Sequence, residues 1–212
     1  FVMFGGNNFD RAILRNPIAY WMSLEVGQWA ARSHFVECYY HPGKGPITKS
    51  SYFGIYAFME KNKRSPDRVN VSGIHARDIK EPEVTGGYLL RRDRVGPDEV
   101  QISGGGYSSL VFVYPKLPNR EQQTYMTQFL NKTNATLNPN IGRQEDNPAI
   151  DFTAWIDHHI LCWYPKNVDA FRLSGYFYKE RNGTMAMGPV WDYDRTMGCS
   201  DDDRAADPTG WN

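Results

Sequence analysis

Apolar residues recur at near-helical spacing between Phe9 and Val26, at Ile13, Leu14, Ile18, Trp21, Met22 and Val26. Pro17 lies inside this run and either breaks it or restarts it after Asn16, so the pattern fits two short helices as well as one. The period then changes. His34 to Tyr40 and Tyr52 to Glu60 are rich in Tyr, Phe, Val and Ile and predict two strands joined by the Pro/Gly-containing loop His41 to Ser51, most simply as an antiparallel pair. Thr85 to Asp93 and Ser109 to Tyr114 predict further strands on either side of a polar stretch containing Gly104, Gly105 and Gly106. Those glycines suit a loop, and their spacing matches neither a dinucleotide fingerprint nor a P-loop.

Two helices carry start signals. Asn119 is placed to cap the first, with Gln122 at the capping-box position and Tyr125, Met126, Phe129, Leu130 and Leu137 on its apolar face. Asp151 is placed to cap the second, where Phe152, Trp155, Ile156, His159, Ile160 and Trp163 are expected to share one face until Pro165 stops the helix. Beyond it, Tyr176 to Lys179 and Thr184 to Trp191 read as the strands of a hairpin turning at Asn182-Gly183, a strong short hairpin signal. With those two residues as the whole turn, Arg181 faces Thr184, Leu173 faces Asp192 and Ser174 faces Trp191. The element order of helix, sheet, helices and hairpin predicts an α+β fold.

That hairpin brings Asp169 and the pair Asp192 and Asp194 to one open end. Carboxylates gathered in this way can divide proton acceptance from metal binding, whereas any one of them alone is explained by a solvated turn. Composition narrows the field. The 212 residues are 41% hydrophobic and 14% aromatic with a formal net charge of zero, so nothing in bulk electrostatics points to nucleic acid. No apolar stretch is long enough for a transmembrane helix. Cys38, Cys162 and Cys199 allow at most one disulfide. His158 and His159 are adjacent, so on a helix they point about 100° apart and are expected to be structural. The run Glu60 to Arg68 reads as a solvated connection or as a phosphate or acidic-substrate contact lining a cleft.

The stretch KNVDAFRLSGYFYKERNGTMAMGPVWDYD, from Lys166 to Asp194, carries a resemblance. It is supported by LRNPIAYWMSLEVG from Leu14, YFGIYAFMEKNKRSPDRVNV from Tyr52 and TGGYLLRRD from Thr85. Together these resemble the CotH kinase family, the spore-coat-protein-H-like proteins, over nearly the whole chain. The resemblance implies a single atypical protein-kinase-like domain with a sheet-rich portion over 1–115, antiparallel at its start, and a mainly helical portion over 116–212 with a catalytic hairpin. It implies ATP- and Mg²⁺- or Mn²⁺-dependent phosphorylation of protein Ser/Thr hydroxyls by an extracellular or cell-envelope-associated protein. A noncatalytic surface-binding module of the same family is the alternative, and a metal-binding structural domain without nucleotide is a third.

By position, the resemblance makes Asp169 the catalytic aspartate and Asp192 the metal ligand, with Asp194 as a second candidate ligand. Ser174 stands five residues after Asp169, where familiar kinases place a metal-binding Asn, and Asn167 would brace the loop. Met59, Glu60 and Lys61 would form the hinge-like edge for adenine, with Met185 and Ala186, in the run to Met187, as the opposite floor or as simple core packing. Relatives of this kind carry, ahead of the LRNP-like helix, an Arg-Gly-Asn segment with phosphate-binding lysines, which is expected upstream of Phe1.

Overall fold

The computed structural model describes residues 1–6, 9–137, 147–207 and 209–210. Among them are three α-helices and two antiparallel sheets. The α+β class is as the sequence predicts.

The first sheet has the order β1-β3-β2, with β1 at Val2–Gly5, β2 at Ser33–Tyr39 and β3 at Tyr52–Met59. The β2–β3 pair is the one read from the aromatic runs. β1 was not expected, because four residues are too few to show a period. Helix α1 spans Arg15–Glu25 as a single helix. Pro17 falls in its first turn, where backbone N–H groups have no intrahelical acceptor, so it opens the helix instead of breaking it. The buried face of α1 is not the large apolar stripe. Asn16, Ala19, Tyr20 and Ser23 face inward, while Leu14, Ile18, Trp21 and Leu24 are exposed. Small residues at 19 and 23 let α1 approach α3, and a larger stripe would hold it off.

The second sheet has the order β5-β6-β4-β7-β8, built from β4 at Tyr88–Arg92, β5 at Gln101–Gly104, β6 at Tyr107–Tyr114, β7 at Gly175–Lys179 and β8 at Met185–Met187. Gly105 and Gly106, both at positive φ, make the β5–β6 turn. The C-terminal hairpin is therefore not confined to a helical lobe, since β7 lies against β4 and completes the same sheet.

Helix α2, Arg120–Thr136, starts as its capping box dictates: Asn119 Oδ1 accepts the N–H of Gln122 at 2.8 Å, and Gln122 Oε1 accepts the N–H of Asn119 at 3.2 Å. Its Met126 and Leu130 pack with Tyr88, Leu90, Leu110 and Phe177 of the five-stranded sheet. Helix α3, Phe152–Trp163, is capped by Asp151, whose carboxylate accepts the N–H of Ala154 at 3.0 Å. It buries Ala154, His158, Leu161 and Cys162 and leaves Ile156, Ile160 and Trp163 partly open, the opposite of the expected face. A helix apolar on nearly every side does not announce which stripe faces inward.

Leu161 and Cys162 join Ala19, Tyr20, Ala57, Met59, Val190 and Tyr193 in a second core under α1. A third, smaller cluster gathers Val69, Val71, Leu89 and Tyr176. Partly buried Trp191 packs against both the second and the third. The three cysteines are free. Among the described residues no helix is long and apolar enough to cross a membrane.

Candidate active site

The Asn-Gly hairpin forms, in a register one residue away from the simplest one. Lys179 pairs with Met185, Tyr178 with Ala186 and Phe177 with Met187. The turn runs from Glu180 to Gly183, whose N–H reaches the Glu180 carbonyl at 3.1 Å, with Asn182 in the left-handed region at φ 53°. Tertiary contacts select this geometry. The N–H of Asn182 donates to the Thr85 hydroxyl at 2.9 Å, and Arg181 donates to the carbonyls of Gly86 and Gly73. Strand β8 also ends sooner than Trp191. The N–H of Gly188 makes a last bond to the carbonyl of Tyr176 at 2.8 Å, and Pro189 has no N–H with which to continue the ladder.

The chain leaving β8 nonetheless returns to the start of β7. Ser174 Oγ donates to Asp192 Oδ2 at 3.2 Å, so the serine expected at the second-ligand position does touch the proposed metal ligand. Ser174 at φ 54° and Asp192 at φ 63° both occupy the left-handed region, as does Phe171 at φ 61°. Non-glycine residues are rare there, and clusters of them mark functional constraint. The Asp192 residue is open to solvent overall, with its carboxylate partly desolvated and near further carboxylates. Loss of solvation raises its pKa to about 6, with the charges of Asp194, Asp93 and Asp169 adding to the rise and the Ser174 hydrogen bond opposing it. Asp194 and Asp169 thus lie close enough for their charge to be felt at Asp192, and the acidic group is gathered at one end of the hairpin.

Asp169 sits in a turn closed by its own carbonyl, which accepts the N–H groups of Arg172 and Leu173. Asn167, nearly buried, accepts the Asp169 N–H through Oδ1 at 3.1 Å and so braces the loop. Three guanidiniums surround the Asp169 carboxylate: Arg172 at 2.5 Å, Arg195 at 3.5 Å and Arg204 at 3.6 Å. Arg195 and Arg204 also pair with Asp202. Of these, only Arg172 at i+3 carried a local sequence signal.

A polar cleft of about 630 Å³ opens beside Trp191, the residue before Asp192. Tyr176, Tyr114 and Trp191 supply its aromatic wall, Lys61, Lys63, Arg64, Arg91 and Lys116 its positive charge, and Asp93 and Glu99 a smaller negative charge. Arg91 is held by Glu99 at 2.8 Å, and Arg64 lies over the Tyr114 ring. Lys61 lines this cleft, but its expected companions do not share it. Met59 is buried in the core under α1, and Glu60 is buried in ion pairs with Arg32 at 2.7 Å and Arg68 at 3.2 Å. Met185 and Ala186 are buried on the five-stranded sheet, Met185 in the core shared with α2. Lys61, Lys63 and Arg64 of the basic run after β3 line this cleft.

A model of the CotH kinase protein family matches residues 4–211. The chain belongs to the CotH kinase family. No curated protein shows significant similarity to it.

In this CotH-family chain the LRNP stretch meets the acidic segment. Asn16 of the LRNP stretch accepts the N–H of Tyr193 at 2.7 Å, and Arg15 donates to the carbonyl of Thr196 at 3.0 Å while pairing with buried Asp10 at 2.8 Å. Tyr20 stacks on Trp191 with ring centres 6.3 Å apart. Gly86 of the TGGY stretch lies where a Cβ would come within 2.6 Å of the Arg181 nitrogen, so the hairpin turn can dock only against a glycine. His158 is buried, its pKa pushed down to about 4 by desolvation, in keeping with a structural role. Among the described residues no cluster of three or more His, Cys, Asp or Glu is arranged for a metal ion.

Proposed function

We propose that this chain transfers the γ-phosphoryl group of ATP to Ser or Thr hydroxyls of a protein, assisted by Mg²⁺ or Mn²⁺. The observation that carries this reading is the Ser174–Asp192 pair, within the electrostatic reach of Asp169 and directly after Trp191, which walls a cleft that is aromatic and rich in basic residues. Aromatic walls suit a nucleobase, and lysines and arginines suit its phosphates. On this reading the fold is an atypical protein-kinase fold, and the protein acts outside the cell or at its envelope, in line with the family resemblance.

The donor set fits a hard cation. Mg²⁺ keeps several waters and takes few protein ligands alongside substrate phosphates, so a carboxylate with a neighbouring hydroxyl and no larger protein cage is sufficient. Asp192 would hold the ion, with Ser174 and Asp194 as the adjoining donors. The metal supplies charge neutralisation for the phosphates during transfer. Asp169 accepts the proton of the attacking hydroxyl through a carboxylate oxygen. That role requires Oδ1 to be released by Arg172 and by the more distant Arg204 at 3.6 Å, and both guanidiniums are exposed enough to exchange partners cheaply. Asn167 fixes the turn that presents Asp169, and Lys61, Lys63, Arg64 and Lys116 bind phosphate.

The test is Mg²⁺- and Mn²⁺-dependent ATP binding and autophosphorylation by the full-length protein, compared with Asp169→Ala and Asp192→Ala. Asp192→Ala should lose metal-dependent nucleotide affinity. Asp169→Ala should keep it and lose transfer. Phosphorylation unchanged in both variants rules the assignment out.

A further inference from the structure

Strand β7 separates two cavities. Its Tyr176 lines the polar cleft, while its neighbours Gly175 and Phe177 line a second cavity of about 360 Å³ on the other face, as strand alternation requires. Arg91 and Arg92 of β4 divide in the same way. The second cavity is apolar, walled by Trp155 and Ile156 of α3 with Phe171, Gly175, Phe177 and Met187.

Its position relative to the acidic residues gives it meaning. Phe171 lies two residues after Asp169 and Gly175 directly follows Ser174, so both ends of the loop carrying the proposed catalytic and ligand residues form its wall. Arg92 donates to the Phe171 carbonyl at 2.6 Å, and the His159 ring packs on the Phe171 ring at 5.3 Å, which fixes that wall against the sheet and α3. Two residues of chain span at most about 7 Å. An extended peptide with its hydroxyl at Asp169 places the side chain two residues away at that same reach and on the same face.

We propose that this cavity takes a large apolar side chain of the acceptor protein, two residues from the Ser or Thr that is phosphorylated. The inference rests on the kinase reading and adds the substrate class to it. Nucleotide and acceptor then approach the Ser174–Asp192 pair from opposite faces of β7. The cavity is large enough for Phe or Leu, and its lining offers such a side chain mainly apolar contact.

The test is calorimetric binding of short serine peptides to the full-length protein, each carrying Phe or Ala two residues before or after the serine, with phosphoryl transfer measured in parallel. One of the Phe peptides should bind roughly tenfold more tightly than its Ala counterpart, as expected when an aromatic side chain is buried. Gly175→Leu should abolish the difference, because a Cβ there sits in ordinary contact at 4.0 Å and its branch grows into the cavity. Ile156→Asp, at a position 45% exposed and therefore tolerant, should do the same by adding charge to the wall. Equal binding of Phe and Ala peptides, or a Phe preference that survives both substitutions, overturns the proposal whether or not phosphate is transferred. Phe-dependent binding without transfer supports the pocket and removes the kinase reading alone.

Discussion

The side-chain oxygen of Asn16 accepts the backbone N–H of Tyr193 at 2.7 Å, joining the first helix to the acidic segment across 177 residues of sequence. Asn16 and Tyr193 are both fully buried, so water cannot replace either partner. Asn16→Ala should cost about 1–3 kcal/mol through the unsatisfied N–H. For a domain of this size that lowers the melting temperature by roughly 2–12 °C. Asn16→Leu, which keeps the volume and also removes the acceptor, should be destabilised as well, and differential scanning calorimetry on the pair separates the hydrogen bond from side-chain volume.

Metal affinity should follow the protonation of Asp192. Its pKa is raised to about 6, so a proton competes with the cation below that value and is absent above it. Mn²⁺ affinity should therefore be nearly constant from pH 8 to 7 and fall by about tenfold between pH 7 and 5. Ser174→Ala removes a hydrogen bond to the carboxylate, which should move the midpoint upward. Titrations of Mn²⁺ binding followed by electron paramagnetic resonance would reveal a flat profile if Asp192 were not a ligand.

Glu60 shows the opposite shift. Hydrogen bonding and charge from Arg32, with a contribution from Arg68, hold its carboxyl down at about 2. The resulting stability is complete above the ordinary glutamate range, near pH 4.5, and is lost as pH falls from there toward 2. Glu60→Gln should be less stable than wild type at pH 7, with the gap narrowing across that window. Urea unfolding at pH 7, 4 and 3 measures it.

Gly86→Ala should destabilise the hairpin by about 1–3 kcal/mol, since the added Cβ would press on backbone atoms of Glu180 and Arg181 at 2.6–2.8 Å. The strain falls on the turn that sets the β7–β8 register. A variant as stable as wild type, with amide hydrogen exchange in β8 unchanged, would show that the turn docks elsewhere.

Local chemistry made the caps of α2 and α3 legible, because Asn119 and Asp151 need only their own helix to act. The hairpin was legible in kind but not in register, since its turn is held by Thr85 and Arg181 contacts that have no local signature. The inward faces of α1 and α3 do not follow their large apolar residues, for related reasons. One buries Asn16 and Ser23, which a hydrophobic pattern discounts, and the other is apolar almost all round. Asp169, Asp192 and Ser174 could be placed near one another by counting along the strands. Met59, Glu60, Met185 and Ala186 could not be separated from core residues by type, and the cleft beside Trp191 draws its walls from segments far apart in sequence. Alternation along β7 was the one available signal for Tyr176.

Trp191 packs against two hydrophobic clusters, one under α1 with the three-stranded sheet and one on the five-stranded sheet. It also forms part of the cleft wall and immediately precedes Asp192. The carboxylate therefore stands at a seam, and its position is the resultant of two packings that need not relax together. A core truncation in either one, even far from the acidic residues, would reach the site as a tilt of a single indole ring.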